Sequence, residues 1–365
     1  MKVINNKPII LQQFFDKQIN NGGPATGALL LLNSNLKEKY IFIPMNKTYP
    51  FHGFSLKLFI YFFSSIKKVK PDIVHIRGIQ SVGFFGVLAA KLLKCKVVLS
   101  VHGLSIDTKN ISGVKRFLYK HLLERYALRK ADLVYCVCEY ACNRNYIKEN
   151  AKNLFGFIHN AAPAFKNKFY YKDYSSYRKT LGINEEDVVV TIISRITQEK
   201  GFDELLNSIP DVLSENKNIK FIIGGEGDYL PNLKLNLIDF INARRVIILG
   251  KISNVNEVLL ASDIFVFPSH RENLSNSLLE ASATGLPIVA TNVGGNSEIV
   301  KHEETGILID PYDTKQLTQA ILKLAGDDNL RIKYGRSGLT RMENCFSQDT
   351  IFNKISNMYD SLLKK

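Results

Sequence analysis

Short apolar runs alternate with longer amphipathic stretches along most of the 365-residue chain. Runs such as KVVLSV and VVVTII are apolar at consecutive positions, which is typical of parallel strands that are buried on both faces. The pattern predicts strands in the first half at Tyr40–Pro44, Asp72–Arg77, Lys96–His102, Leu133–Cys138 and Leu154–His159. In the second half it predicts them at Asp187–Ser194, Lys220–Gly224, Val246–Leu249, Ile264–Pro268 and Pro287–Thr291.

Helical patterns lie between these strands, and their alternation predicts two doubly wound α/β domains. The predicted helices are Ser55–Lys68, Ser81–Leu93, Ser112–Leu128, Phe202–Leu213, Tyr229–Ile241, Asn254–Ser262, Asn276–Ala283 and a final amphipathic helix within Asp349–Lys365. The stretch Ala161–Tyr177 is polar, aromatic and weakly periodic, so we place the domain boundary there. The predicted domains are residues 1–165 and 166–346.

The composition fits this organisation, since 45% of the residues are hydrophobic and only 22% are charged, which excludes a mostly disordered chain. The net charge of +14 is unevenly divided. Residues 1–165 carry 24 Lys and Arg against 8 Asp and Glu, whereas residues 166–365 carry 24 against 26. The first half is therefore expected to meet an anionic partner, such as nucleic acid, an acidic membrane surface or a phosphorylated ligand.

The cysteines and the N-terminus predict a cytoplasmic protein. The five cysteines are sparse and show no CxxC spacing, so neither a disulfide framework nor a zinc site is favoured. The N-terminus lacks the long apolar stretch and small-residue cleavage site of a signal peptide. No window of 18 apolar residues occurs, and we expect no segment that spans a membrane.

Ligands of open α/β sheets bind at the carboxyl ends of the strands, which directs attention to the loops there. The most informative loop lies in FPSHRENLSNSLLEASATGLPIVATNVGG, where Glu272 precedes a helix that starts near Asn276 and carries Glu280. The helix N-terminus favours an anion, and the carboxylates suit sugar or ribose hydroxyls. Taken alone, two glutamates at this spacing are more often solvated surface charges.

A second loop, SRITQEKG, carries Arg195 and Lys200 at its two ends, where they could hold the phosphates of a diphosphate. An ordinary solvated basic loop is an equal alternative. A third segment, NNGGPATG, offers Gly22 and Gly23 for a close backbone approach to a ligand, although a plain turn is the commoner reading.

Two histidines, His75 and His102, stand where apolar strands end, so both could face a cleft. A lone histidine at such a place is more often structural. His102 is the preferred candidate because Gly103 follows it and allows a ligand to approach. Neither HxH nor HExxH occurs, so metal ligation is not expected.

In their order along the chain, these motifs resemble the family-four retaining glycosyltransferases of the GT-B fold. The resemblance covers residues 187–325 almost continuously, through SRITQEKG, GGEG, the two-glutamate segment and EIVKHEETGILIDPYD. It is thinner in the first half, through NNGGPATG, PDIVHIRG, VVLSVHG and ADLVYCVCE. It implies two Rossmann-like domains that face each other across a cleft, with a C-terminal helix, residues 347–365, that packs back on the first domain.

The resemblance also implies a role for each candidate residue. Glu272 would contact the donor sugar and Glu280 the ribose, while Arg195 and Lys200 would neutralise the diphosphate. Gly23 would approach the phosphates, and His102 would lie beside the reacting sugar. The implied catalytic set is His102, Arg195, Lys200 and Glu272, and the implied donor-binding set is Gly22, Gly23, Arg195, Lys200, Glu272, Asn273, Leu274, Ser275, Asn276 and Glu280.

Two departures from the family pattern stand out. The loop after Glu272 reads NLSN where many members have glycines, which puts the fit to the donor sugar in doubt. Ala161 replaces a glycine that often precedes the interdomain segment, and we interpret this change as a difference at a hinge.

The implied function is transfer of a sugar, with retention, from a UDP- or GDP-linked donor to a glycan acceptor. We expect a lipid-linked acceptor in the synthesis of cell-surface polysaccharide, lipopolysaccharide or O-antigen. No cofactor is expected beyond the nucleotide-sugar cosubstrate, and no metal, because no DxD pair lies in a suitable loop. The basic stretches Phe54–Lys70 and Gly113–Lys130 suit peripheral binding to an anionic inner membrane surface, or equally serve as core helices with solvated faces.

Three other functional classes are alternatives to this one. The first is a nucleotide-sugar epimerase of the same fold. The second is a nucleic-acid-binding protein, suggested by the net charge but unsupported by any RRM, KH, helix-turn-helix or zinc-finger pattern. The third is a Rossmann dehydrogenase, whose GxGxxG fingerprint is missing from the sequence.

Overall fold

The computed structural model describes residues 7–13, 23–45, 55–107, 112–170 and 175–364. It divides into two compact units, of which unit 1 is Met1–Ala161 with Gln348–Lys365 and unit 2 is Ala162–Ser347. Each unit contains a six-stranded sheet whose paired strands run parallel. The predicted α/β class with two parallel sheets is confirmed.

Unit 1 has the strand order β2-β1-β3-β4-β5-β6. Its strands are β1 (Ile9–Gln12), β2 (Ile41–Pro44), β3 (Ile73–Arg77), β4 (Lys96–Val101), β5 (Leu133–Cys136) and β6 (Leu154–Phe157). The helices among them are α1 (Gly23–Leu32), α2 (Leu56–Val69), α3 (Ser81–Leu92), α4 (Gly113–Leu118), α5 (Arg125–Lys130), α6 (Glu139–Cys142) and α7 (Asn145–Asn150).

Unit 2 has the strand order β12-β11-β10-β7-β8-β9. Its strands are β7 (Val188–Ile193), β8 (Ile219–Gly224), β9 (Val246–Gly250), β10 (Ile264–Phe267), β11 (Ile288–Thr291) and β12 (Gly306–Ile309). Its helices are α8 (Ser175–Thr180), α9 (Phe202–Glu215), α10 (Leu230–Asn236), α11 (Ile238–Asn242), α12 (Val255–Leu260), α13 (Asn276–Thr284), α14 (Asn296–Ile299), α15 (Thr314–Ala325) and α16 (Asp328–Cys345).

The last helix, α17 (Gln348–Leu363), belongs to unit 1 although the chain reaches it from unit 2. Its apolar face, which includes Ile351 and Met358, joins the core cluster of the first sheet. At its centre the Tyr359 hydroxyl accepts a hydrogen bond from Gln12 Nε2 at 2.8 Å and lies 2.6 Å from His75 Nδ1. The C-terminal helix is therefore fastened to the first sheet by both apolar packing and a buried polar network.

His75 is fully buried in that network, and the expectation that it could face a cleft is wrong. Its other ring nitrogen, Nε2, lies 3.1 Å from the Tyr135 hydroxyl. Burial, and secondly the nearby charge of Arg77, hold the pKa of His75 well below its usual range, so the ring is neutral. A neutral ring can exchange hydrogen bonds with both tyrosines, which makes it a structural residue.

The structure differs from the predicted elements in several places. Strands β1 and β12 and helices α6, α7, α8, α14, α15 and α16 were not predicted. The helix predicted over Tyr229–Ile241 is broken at Leu237 into α10 and α11. The helix predicted over Ser112–Leu128 contains a π-helical turn, Tyr119–Glu124, between α4 and α5.

Backbone contact between two loops fixes the carboxyl edge of the second sheet. Gly201, after β7, has φ of +77°, and a Cβ there would lie 1.9 Å from the carbonyl oxygen of Pro268, which follows β10. Only glycine fits both the left-handed conformation and this separation. The loops after β7 and β10 therefore touch backbone to backbone.

This contact predicts a large difference between two glycine substitutions. Gly250 also has positive φ, at +64°, but nothing lies within 4 Å of a Cβ built there. Both Gly201→Ala and Gly250→Ala should lose about 1–2 kcal/mol to the left-handed backbone. Gly201→Ala should lose about 1–3 kcal/mol more through the clash with Pro268. Chemical denaturation followed by circular dichroism measures both, and equal losses would contradict the contact.

Candidate functional site

The strand order of unit 2 marks where a ligand should bind. From β7 the chain proceeds outward to β8 and β9 on one side, and β10 then pairs with the other edge of β7. In doubly wound sheets, ligands bind at the carboxyl ends of the strands where the order reverses in this way. The loops after β7 and β10 flank this point, and they hold Arg195, Lys200 and Glu272.

Lys200 and Glu272 are brought together by these loops, although they are far apart in the sequence. The Lys200 ammonium group donates a hydrogen bond to Glu272 Oε1 in an ion pair, and both side chains are mostly buried. The same ammonium lies 5.7 Å from the centre of the Phe267 ring. Ser269 Oγ lies 3.4 Å from the same carboxylate oxygen. The pair is a partly dehydrated polar centre, where electrostatic interactions are stronger than in open water.

Arg195 lies in the same loop but is not part of this pair. Its side chain is 71% exposed and donates a 3.1 Å hydrogen bond to Glu199 Oε1. An exposed ion pair of this kind is weak, so the guanidinium can exchange its partner for a stronger anion at little cost.

Helix α13 begins at Asn276, as predicted, with Ser275 as its N-cap. The Ser275 hydroxyl accepts a hydrogen bond from the backbone N–H of Leu278. Leu274, just before the cap, is buried. Asn273 accepts a 2.8 Å backbone hydrogen bond from Gly295, which joins this loop to the one after β11.

Gly294 is required for that junction. A Cβ at Gly294 would lie 1.7 Å from the carbonyl oxygen of Glu272. The loop after β11 therefore packs directly against the backbone of Glu272 and holds this carboxylate in place. The family's usual glycines after Glu272 are absent from this chain, but the glycine opposite the loop is present.

Glu280 lies on α13 and has no side-chain hydrogen bond or ion pair with any residue that the structure describes. Burial raises the pKa of this carboxyl to about 7. Near pH 7 the carboxyl group is therefore partly protonated. It accepts hydrogen bonds when it is ionised and can donate one when it is protonated.

The candidate residues that lie in the sequence of unit 1 are Gly22, Gly23 and His102. Gly22 lies outside the described residues, and Gly23 is the first residue of α1. His102 follows β4, and its Nε2 lies 3.0 Å from the hydroxyl of Ser100. Burial, and then the charge of Arg77, lower the pKa of His102 to about 3. The ring is thus neutral over the physiological range and can serve as a hydrogen-bonding group but not as a cation.

Sequence reasoning missed two residues beside these candidates. His270 Nε2 lies 2.8 Å from Glu204 Oε2, and the His270 backbone N–H donates to the carbonyl of Glu199 at 2.9 Å. Arg77 closes β3 beside His102 and is only 8% exposed. The signal for His270 was its place inside the glutamate-containing loop. The signal for Arg77 was a cation at the last position of an otherwise apolar strand.

Within the described ranges, no cluster of three or more His, Cys, Asp or Glu side chains could hold a metal ion. Among the helices in those ranges, none combines the length and the apolar character needed to cross a bilayer. The cysteines of the chain are all free thiols, and Cys136 and Cys138 are buried.

Comparison with protein families and known proteins identifies the fold and family. The family described as "Glycosyl transferases group 1" matches residues 173–341, and the one described as "Glycosyl transferase 4-like" matches residues 33–138. The structure of HepE from Anabaena in complex with UDP-glucose superimposes with a TM-score of 0.77 at 20% identity, covering 97% of this chain and 100% of that one. This likeness confirms the expected GT-B class of fold.

Two curated relatives extend the match over most of the chain. The capsular polysaccharide biosynthesis glycosyltransferase CapM of Staphylococcus aureus is 29% identical over 304 residues, which are 82% of this chain and 79% of CapM. The UDP-Gal:alpha-D-GlcNAc-diphosphoundecaprenol alpha-1,3-galactosyltransferase of Escherichia coli is 30% identical over 322 residues, which are 83% of this chain and 79% of that enzyme. The chain therefore belongs to the group 1 glycosyltransferases.

Proposed function

We propose that the protein transfers a sugar, with retention, from a UDP- or GDP-linked donor to a lipid-linked glycan acceptor at an anionic membrane surface. The observation that carries this proposal is the mostly buried Lys200–Glu272 pair at the strand-order reversal of unit 2. Arg195 and the N-terminus of α13 lie in the same two loops. Together they offer cations and an amide-lined end for a diphosphate, and a carboxylate for a sugar hydroxyl.

In the proposed reaction the bond between the anomeric carbon and the diphosphate breaks, and the oxygen of the acceptor hydroxyl forms the new bond to that carbon. The hydroxyl proton passes to the departing diphosphate, on which negative charge builds up. Lys200, Arg195 and the start of α13 stabilise that charge from fixed positions, so little reorganisation is needed. Lys200 is held by Glu272 before the donor arrives, which keeps its ammonium group in place. We propose that these cations do this work without a metal.

The remaining candidates receive hydrogen-bonding roles in this proposal. Glu280 accepts hydrogen bonds from the ribose hydroxyls of the nucleotide. His102 is neutral, since its pKa is about 3, and its imidazole bonds to a hydroxyl of the reacting sugar.

The relatives, together with the charge of the chain, support the proposed donor and acceptor classes. HepE was solved with UDP-glucose, and the E. coli relative is named for a UDP-galactose donor and a diphosphoundecaprenol acceptor. CapM is named for capsular polysaccharide synthesis. We extend these properties to this chain as a sugar transfer in cell-surface polysaccharide or lipopolysaccharide synthesis, including the O-antigen type.

The proposed membrane contact is supported by exposed apolar side chains on α4 and the π-helical turn. Val114 is 85% exposed and Phe117 64%, and Leu122 in the next turn is 57% exposed. Val114 and Phe117 are three residues apart on α4, and exposed cations such as Lys115 and Arg125 lie near them in the sequence. Apolar side chains within a basic surface suit shallow insertion into an anionic leaflet. Helix α2 adds exposed Leu56 and Ile60 beside its own lysines.

The first prediction from the proposed function concerns the cations of the proposed donor site. Lys200→Ala and Arg195→Ala should each lower the turnover of sugar transfer by about 100-fold or more, because each removes a group that stabilises the leaving diphosphate. Turnover is measured with the nucleotide sugar that most stabilises the protein in a thermal-shift screen.

Lys217→Ala is the matched control, since Lys217 is an exposed lysine of the same unit and should be dispensable. Near-normal transfer by both site variants would refute the donor-site assignment. Nucleotide release without an acceptor product, or sugar epimerisation instead of transfer, would refute the reaction.

The second prediction concerns pH. Because Glu280 titrates near 7 and hydrogen-bonds the ribose as a carboxylate, its protonation should oppose binding. Affinity for UDP-glucose or the identified donor should fall as the pH drops below 7, by at most about tenfold per unit. Calorimetric titration of the donor between pH 5.5 and 8 tests this. The diphosphate diester of the donor does not titrate in that range, so a change in affinity reports on the protein. Glu280→Gln should bind more weakly with a flat profile; an unchanged profile would exclude Glu280 as the cause.

The third prediction concerns the membrane. The double variant Val114→Ser/Phe117→Ser should bind vesicles rich in phosphatidylglycerol about tenfold or more weakly than the native protein, since two apolar side chains no longer insert. Native binding should be much weaker on phosphatidylcholine and should fall with salt. Ile332→Ser, on α16, removes an exposed apolar side chain elsewhere and should change nothing. Equal native binding to both vesicle types would remove the membrane from the proposal.

A further inference from the structure

Arg77 is a buried cation at the carboxyl edge of the first sheet. It is the last residue of β3 and is only 8% exposed. Its Nη1 donates a 2.6 Å hydrogen bond to Gln12 Oε1, and its backbone N–H donates to Gln13 Oε1 at 2.7 Å. Gln12 therefore binds the guanidinium group of Arg77, and Gln13 binds the backbone of the same residue.

The neighbours of this guanidinium carry no negative charge among the residues that the structure describes. No ion pair within those ranges includes Arg77. Gln12 is a neutral amide, and His75 and His102 are kept neutral by burial and by Arg77 itself. Proteins rarely leave a buried cation without an anionic partner, because desolvation of the charge is expensive.

A small cavity gives a ligand access to this cation. Arg77 and His102 line it together with His159 and Asn160, and Phe352 of α17 forms part of its wall. Its volume of about 30 Å³ admits a group the size of one water molecule or one oxygen atom. Gly27, in the middle of α1, also lines it.

The position of the cavity matches the ligand-binding position of the fold. In the first sheet β1 pairs with β2 on one edge and with β3 on the other, so the strand order reverses between β1 and β3. Gln12 ends β1 and Arg77 ends β3, which places the guanidinium at that reversal. Open α/β sheets bind ligands at this point.

We propose that Arg77 is the centre of an anion subsite in unit 1 that takes one phosphoryl oxygen of the acceptor. The subsite rests on the proposed function, since it gives the acceptor of that reaction a phosphate or diphosphate group. The oxygen enters the cavity and accepts hydrogen bonds from the free edge of the guanidinium. His102 lines the same cavity and therefore lies next to this subsite.

The same chemistry could come from the diphosphate of the donor, so the assignment to the acceptor needs its own arm of the experiment. Inorganic pyrophosphate is the probe, titrated into the full-length protein already saturated with UDP, and followed by calorimetry. The native protein should still bind pyrophosphate, and Arg77→Gln should bind it about tenfold or more weakly because the charge-assisted hydrogen bonds are lost. Affinity for UDP alone should be the same in both proteins.

A second variant leaves the arginine in place. Gln12→Glu has nearly the same shape and puts a carboxylate 2.6 Å from Nη1, so Arg77 gains an internal partner. It should abolish pyrophosphate binding even if Arg77→Gln does not fold. Lys148→Gln removes one exposed charge from the same unit and should bind pyrophosphate like the native protein.

Three outcomes would overturn the subsite. Equal pyrophosphate binding by the native protein and by folded Arg77→Gln or Gln12→Glu would show that Arg77 does not bind the anion. Absence of pyrophosphate binding in the native, UDP-saturated protein would show that no separate subsite exists. Weaker UDP binding in Arg77→Gln, to the extent seen in Lys200→Ala, would assign the cation to the donor. None of these measurements requires turnover, so they fail independently of the proposed reaction.

Discussion

The proposed donor site of this protein depends on two loops whose backbones touch. Gly201 lies against the carbonyl of Pro268, and this contact sets Lys200, the residue before Gly201, opposite Glu272. Both charged groups lose most of their water, so each depends on the other for compensation. The pair therefore exists before any ligand arrives, as preorganised stabilisation of the proposed leaving diphosphate requires.

Lys200 and Arg77 are mostly buried cations with different surroundings. In unit 2 the ammonium of Lys200 is matched by a carboxylate, and Lys168 and Arg178 share Asp263 in the same way. In unit 1 the described neighbours of Arg77 are neutral groups, and the network that holds it also anchors the C-terminal helix through Tyr359. Glu272 thus compensates Lys200 before any ligand arrives, whereas in the proposed subsite a ligand supplies the counter-charge of Arg77.

The net positive charge of the chain is also unevenly divided along the sequence. The cations of the proposed donor site are few and local, and unit 2 as a whole is nearly neutral by sequence. The excess positive charge lies in the first half, where exposed Val114 and Phe117 stand on a basic helix. Solvated cations on a surface act over a longer range and without precise geometry, so they attract an extended anionic partner, while the buried Arg77 recognises one group.

The sequence by itself determined the class of fold and the neighbourhood of the proposed donor site. Continuous Val and Ile runs indicate buried parallel strands, and such strands end at one edge, so Lys200 and Glu272 could be expected near each other. Only the tertiary structure decided that they form an ion pair, that His75 is a core residue and that Arg77 lies in a cavity without a carboxylate partner among the described residues. The reason is that burial and pairing depend on which distant segments meet, and local patterns carry no record of those contacts.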